Sequence, residues 1–203
     1  IRRKTGAANR KVQKLMNLMN METVHVAWDF LKENGLKALI LKSKHKIQGI
    51  DDDYDYAEWW NLTKPSEEEL EEQKKKKFDY MPKFSIVIPV YKTPEKFLKE
   101  MLDSIVEQTY ANWELCIADG SPADESVENV LKKYAEKDAR IRYQVLGENR
   151  GISGNTNAAL EMAEGDFIVL ADHDDRLTPN ALFECAKKLN ENENCDVLYS
   201  DED

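Results

Sequence analysis

The chain has 203 residues, 41% of them hydrophobic, enough for one sizeable α/β domain plus an appendage. Its net charge of −10 argues against nucleic acid as the main partner. Cys116, Cys185 and Cys195 are the three cysteines, with no CxxC pair, and read as reduced, mostly buried thiols in a reducing compartment.

No signal peptide and no apolar run near 18 residues occurs, so the expected location is cytoplasmic, with the inner face of the cell membrane as a second option. The chain opens on Ile1 and stops at Asp203 after a strand-like run, and so reads as a piece of a longer protein. Charge is uneven. Residues 1–50 hold 11 Lys/Arg against 3 Asp/Glu, while the remainder hold 18 against 36.

Residues 1–80 read as a helical extension and linker. Val12, Leu15, Met16 and Met19 fall at helical spacing, as do Val24, Ala27, Trp28 and Leu31. Leu36, Leu39 and Ile40, flanked by Lys37, Lys42, Lys44 and Lys46, form a basic amphipathic stretch. It suits a helix docked on the main domain or a partner chain better than a membrane surface. Residues 1–50 are therefore the expected place for a peripheral membrane contact or a homodimer. Asp51-Asp52-Asp53-Tyr54-Asp55 lacks calcium-loop spacing and reads as a solvated turn, with Tyr56, Trp59 and Trp60 as anchors. Ser66 to Glu69 has capping-box form, and Glu71/Lys75 and Glu72/Lys76 are candidate ion pairs on the helix that follows.

From residue 81 the pattern alternates strand and helix. Phe84–Val90 reads as a buried strand, Trp113–Ala118 as a second strand, Ile141–Leu146 as a third, Asp166–Ala171 as a fourth and Asp196–Tyr199 as the start of a fifth. Helices are expected over Pro94–Gln108 with Phe97, Leu98, Met101, Leu102 and Ile105 inward, Asp124–Lys137, Ser153–Ala163 and Pro179–Asn190. Asp124 and Thr178 are candidate helix caps. Repeated βα units of this length predict an α/β fold with a doubly wound, mostly parallel, Rossmann-like sheet.

In such sheets ligands bind at the carboxyl ends of the strands. Four features fall there. Pro89, Val90 and Tyr91 follow the first strand. Asp119-Gly120-Ser121 follows the second, where the acid can accept an imide N–H and the Tyr91 ring can pack on a flat base. Ordinary Asp-Gly turn chemistry is an equal reading of Asp119. Asn149 to Asn157, with Arg150, Gly151 and Asn157, is a Gly/Asn-rich loop leading into a helix, suited to sugar or phosphate. The apolar run Phe167–Ala171 suits a strand covered on both faces, and it leads into Asp172, His173, Asp174 and Asp175. Crowded carboxylates repel one another, which points to a hard cation, Mn2+ or Mg2+, bridging a diphosphate. His173 reads equally as a ligand or as a spacer pointing away. No Walker loop, GxGxxG or Gly-x-Ser-x-Gly occurs, which sets aside ATPase, dinucleotide and hydrolase readings.

Taken in order, Ser85–Tyr91, Trp113–Ser121, Asn149–Leu160 and Leu170–Asp175 resemble the nucleotide-sugar-binding half of a family 2 inverting glycosyltransferase with the GT-A fold. The closest likeness is to the bacterial branch that builds cell-surface polysaccharide, including rhamnosyltransferase-like members. The resemblance covers 84–203 and implies a UDP- or dTDP-sugar donor, and a glycan or lipid-linked glycan acceptor. It implies that Asp119 binds the base, Asp172 the ribose or metal side, and Asp174 the metal and diphosphate in a DxD motif. Pro89, Val90, Tyr91, Arg150, Gly151, Asn157 and His173 join the donor contacts. Ala118 and Thr156 depart from the family pattern, which usually has Asp and Arg there. The catalytic base is expected beyond Asp203. A nucleotidyltransferase and a non-catalytic nucleotide-sugar or Mg2+-binding module are the alternatives.

Overall fold

The computed structural model of the chain describes residues 60–61, 64–122, 125–192 and 194–199. The helices read within 1–47, the acidic turn at 51–55, the Asp124 cap and the acids at 201–203 lie outside the described residues. The chain divides into two compact units, Ile1–Pro65 and Ser66–Asp203, and the second holds the strand–helix repeat.

It opens with helix α1 (Glu67–Lys75), and Ser66 caps it as a full capping box. The Ser66 hydroxyl accepts the Glu69 N–H at 3.2 Å, and the Glu69 carboxylate accepts the Ser66 N–H at 2.7 Å. Acids fill the first turn and lysines the last, matching the helix dipole. The expected i,i+4 pairs do not form. Glu71 instead pairs with Lys74 at 2.7 Å, and Lys76 has left the helix as its extended C-cap. Because α1 buries no residue, its cap carries much of its local stability. Ser66→Ala is expected to lower stability by about 1 kcal/mol in urea denaturation.

Four strands follow: β1 (Phe84–Val90), β2 (Trp113–Asp119), β3 (Ile141–Val145) and β4 (Phe167–Leu170), in the order β3-β2-β1-β4 with every neighbour parallel. Helices α2 (Glu95–Val106), α3 (Glu125–Ala135), α4 (Gly151–Leu160) and α5 (Ala181–Glu191) connect or follow them. The chain steps outward from β1 to β3, then returns to the other side of β1. The strand order therefore reverses between β1 and β4, and the carboxyl ends of strands at such a reversal are the usual place for a ligand.

Alternation along β1 and β2 builds two layers. Phe84, Ile86, Ile88 and Val90, with Trp113, Leu115 and Ile117, face a large core made with Leu98, Met101, Leu102, Ile105, Val127, Val130, Leu131, Leu182, Phe183, Ala186 and Leu189. The opposite face is thin. There Val87 and Ala118 meet Leu146, Ala158 and Ala159, and the small alanines bring α4 close over β1 and β2.

Several expectations are corrected. Phe97 is 44% exposed, because it sits about 100° round the helix from Leu98, at the edge of the apolar arc. Strand β4 is covered on one face only: Phe167 and Val169 join the core, but Ile168 and Leu170 are exposed. It is an edge strand, and α4 lies over β1 and β2 rather than over it. Residues 195–199 join no ladder among the described residues, so the fifth strand is not formed there; Val197 and Tyr199 point into solvent. Helix α5 starts at Ala181, after Asn180, so Pro179 precedes the helix and Thr178 does not cap it. Buried Gln108 takes that role across the core. Its Oε1 accepts the Leu182 N–H at 3.0 Å, and its Nε2 donates to the Thr178 carbonyl at 2.7 Å.

Candidate functional site at the carboxyl edge of the sheet

The β1 end supplies little side chain. Pro89 and Val90 are buried within the strand, and only Tyr91 of the three presents its side chain to solvent. Lys92 then takes φ 51, the only positive φ outside glycine among the described residues. A left-handed lysine costs about 1–2 kcal/mol and persists only where its surroundings hold it. The holding group is visible. The Lys92 N–H donates to the Ser121 hydroxyl at 2.6 Å, and the lysine ammonium lies 5.1 Å from the Tyr91 ring centre.

Asp119 ends β2 and is wholly buried. Its Oδ1 accepts the Ser121 N–H at 2.9 Å, a short turn in which the acid organises its own loop. The Gly120 N–H donates to the Val90 carbonyl at 2.8 Å, and the Leu146 N–H to the Asp119 carbonyl at 2.8 Å. The ends of β1, β2 and β3 are thereby tied together.

The helix expected from Ser153 starts two residues earlier, so all but Asn149 and Arg150 of the Gly/Asn-rich stretch is helical. Helix α4 begins at Gly151, whose φ of 73 suits glycine. What reads as loop chemistry is a cap made by two asparagines. Asn149 Oδ1 accepts the Gly151 N–H and the Asn155 amide, both at 3.0 Å, while Asn155 Oδ1 accepts the Arg150 N–H at 3.0 Å. Buried Asn155 lies directly against Gly120. Sequence reasoning included Asn155 in the motif but gave it no role; its position one helical turn from Arg150 and Gly151 was the available signal. Arg150 and Asn157 are exposed beside this knot, and Thr156 spends its hydroxyl on the Ile152 carbonyl at 2.8 Å.

Past β4, Asp172, Asp174 and Asp175 are exposed and His173 is half-buried. The Asp175 N–H turns back to the Asp172 carbonyl at 3.3 Å. Water therefore reaches all three carboxylates, and solvation relieves the repulsion that pointed to a cation. Among the described residues no group of three or more His, Cys, Asp or Glu is arranged to hold a metal by itself. Two exposed carboxylates two residues apart still fit a hard cation that completes its shell with phosphate oxygens and water.

The fold thus joins Tyr91, Lys92, Asp119, Ser121 and the Asn149/Asn155 knot directly. Asp172 and Asp174 follow β4, which lies beside β1 on the side away from β2. A parallel sheet with exposed acids and an aromatic at its switch point defines an open α/β domain of the doubly wound class, in which this edge is the usual place for a ligand.

The comparisons narrow that class. A family model described as Glycosyl transferase family 2 matches residues 85–201, and the chain belongs to that family. Uncharacterized protein y4gI of Sinorhizobium fredii is 41% identical over 122 residues, 60% of this chain and 13% of that protein. O-antigen biosynthesis protein RfbC of Myxococcus xanthus is 30% identical over 149 residues, 73% of this chain and 12% of that protein. Among solved structures, S. aureus TarS 1–349 in complex with UDP is 30% identical with a TM-score of 0.50, over 55% of this chain and 33% of that one. The chain therefore spans a small part of each relative. Its sheet is the corresponding part of the GT-A fold. No described helix is long and apolar enough to cross a membrane.

Proposed function

We infer that residues 81–203 are the donor-binding part of an inverting glycosyltransferase that takes a UDP- or dTDP-sugar and serves cell-surface polysaccharide synthesis. The observation that carries this reading is the placing of Tyr91 and Asp119 at the ends of paired strands, with Ser121 joining Asp119 to Lys92 next to Tyr91, at the same sheet edge as Asp172 and Asp174. Support comes from the TarS fragment solved with UDP and with UDP-GlcNAc, and from the O-antigen role in the name of RfbC.

Tyr91 offers a ring to the face of a pyrimidine, and Asp119 an acceptor for its imide N–H. Arg150, beside the start of α4, carries the positive charge nearest the Asn149/Asn155 cap and suits a phosphate. Gly151 and Asn157 border it, and His173 lies between the two acids. Asp172 and Asp174 would hold Mn2+ or Mg2+, which neutralises the charge of a departing nucleoside diphosphate. The acceptor, a glycan or lipid-linked glycan, and the base that deprotonates its hydroxyl complete an in-line displacement.

Titration calorimetry with UDP and Mn2+ tests the reading. Metal-dependent binding is expected, and Asp174→Ala is expected to weaken it by about tenfold or more while leaving metal-free binding unchanged. Absence of binding for UDP, dTDP and GDP alike would overturn the donor role. Metal-dependent binding that survives Asp174→Ala would remove that residue from the site.

A further inference from the structure

We propose that Ser121 is a positioning residue: it fixes Lys92 in the left-handed conformation and so sets Tyr91 at the nucleoside pocket. The proposal rests on the donor-nucleotide reading and adds a residue to it. Ser121 is buried, and its two ends do different work. Its N–H donates to Asp119 Oδ1 at 2.9 Å, and its hydroxyl accepts the Lys92 N–H at 2.6 Å. One residue thus links the carboxylate of β2 to the backbone that carries the Tyr91 ring.

The turn needs such a link. Lys92 is left-handed at φ 51, and the neighbouring Thr93 hydroxyl is buried without a hydrogen-bond partner. Both features are unfavourable, and each falls within two residues of Tyr91. A strained turn left to itself relaxes into the ordinary right-handed or extended regions, and relaxation at Lys92 swings the residue before it. The Gly120 N–H to Val90 carbonyl bond anchors the strand just before the turn, so movement is confined to Tyr91 and Lys92. The Lys92 ammonium beside the Tyr91 ring would move with them.

Glycine adopts φ near 50 without steric cost, so Lys92→Gly removes the need for the Ser121 hydroxyl. That gives a double-mutant cycle. UDP affinity in the presence of Mn2+ is measured for the wild-type chain, S121A, K92G and S121A/K92G. S121A is expected to weaken binding by about tenfold in the wild-type background and by less than about threefold in the K92G background. The same loss in both backgrounds would overturn the proposal, since it would mean that Ser121 touches the nucleotide or acts elsewhere. Unchanged affinity in S121A would overturn it as well.

Thermal midpoints without ligand keep the two readings apart. S121A is expected to lower the midpoint by about 3 °C or more in the wild-type background and by less in the K92G background. If the wild-type chain binds no nucleotide but these midpoints are coupled, the donor reading fails and the hold of Ser121 on Lys92 stands. Strictly additive midpoints would remove that hold.

Discussion

Glu114→Ala is expected to lower the folding free energy at neutral pH by about 3 kcal/mol, the largest stability loss predicted for a single residue of the sheet. Glu114 is the second residue of β2, its side chain 6% exposed, at the end of the sheet opposite the site. Its Oε1 accepts the Ser85 hydroxyl and the Glu164 N–H, both at 2.6 Å; its Oε2 accepts Lys83 at 2.7 Å and Arg142 at 2.9 Å. Burial alone would raise its pKa. The hydrogen bonds from Lys83, Ser85 and the Glu164 backbone, with the Lys83 charge, outweigh burial and bring it from 4.5 to about 2. Because the folded value lies below the unfolded one, the carboxylate stabilises fully above pH 4.5, and that contribution disappears as pH falls towards 2. About 2 kcal/mol of it should already be lost at pH 3. Lys83 and Arg142 are each about a third exposed, so water receives them when the carboxylate goes, which limits the further cost of stranded charge. Urea denaturation at pH 7 and pH 3 decides the matter for wild type and Glu114→Gln. The gap between the two proteins should narrow at pH 3, and a constant gap would remove Glu114 as the source of acid lability.

That cluster was not legible in the sequence, and the reason is physical. Ser85, Glu114 and Arg142 each sit second in a strand, and Lys83 just ahead of one. Only the parallel register, which sets Ser85 opposite Glu114 and Cys116 opposite Arg142, brings them together. Local pattern carries no register between strands so far apart in the chain. What did read correctly was whatever depends on neighbours in sequence. The strands β1 and β2 lie where the apolar-rich runs placed them, and the 3.6-residue spacing found Leu98, Met101, Leu102 and Ile105.

The site shows the same division. The order of its motifs identified the family and placed Tyr91, Asp119, Asp172 and Asp174 on one sheet edge. Three-dimensional details escaped. The apolar run Phe167–Leu170 looks like a central strand, but it is an edge strand with Ile168 and Leu170 open to solvent. The loop expected to lead into the helix at Ser153 is shorter than its Asn/Gly richness suggested, because Asn149 and Asn155 cap a helix that already starts at Gly151. Ser121 carried no role of its own in the motif, since the left-handed Lys92 that it holds has no local signature; lysine is not a residue that announces a positive φ.

Gly120→Ala is expected to weaken UDP binding by about tenfold or more, although residue 120 need not touch the ligand. A Cβ there would lie 2.6 Å from Asn155 Nδ2, 3.3 Å from its Cγ and 3.2 Å from Asn149 Oδ1. Asn155 cannot swing away cheaply. It is 2% exposed, and both ends of its amide are engaged, one by Asn149 Oδ1 and one by the Arg150 N–H. Relief therefore means moving Asn149, Arg150 and the start of α4, or moving Gly120 and breaking its bond to the Val90 carbonyl. The first route displaces Arg150 from the expected phosphate position, and the second disturbs the Tyr91 turn. Overpacking of this kind costs about 1–3 kcal/mol of stability. Asn155→Ala alone should cost a similar amount through the lost cap. Together the two changes should cost clearly less than their sum, because removing the amide makes room for the new methyl. A denaturation cycle on the single and double variants measures this directly. A coupling below about 0.5 kcal/mol would mean that the close approach of Gly120 to Asn155 does not hold the two loops together, whereas a coupling of about 1 kcal/mol or more would make that contact the joint on which the carboxyl edge of the sheet is assembled.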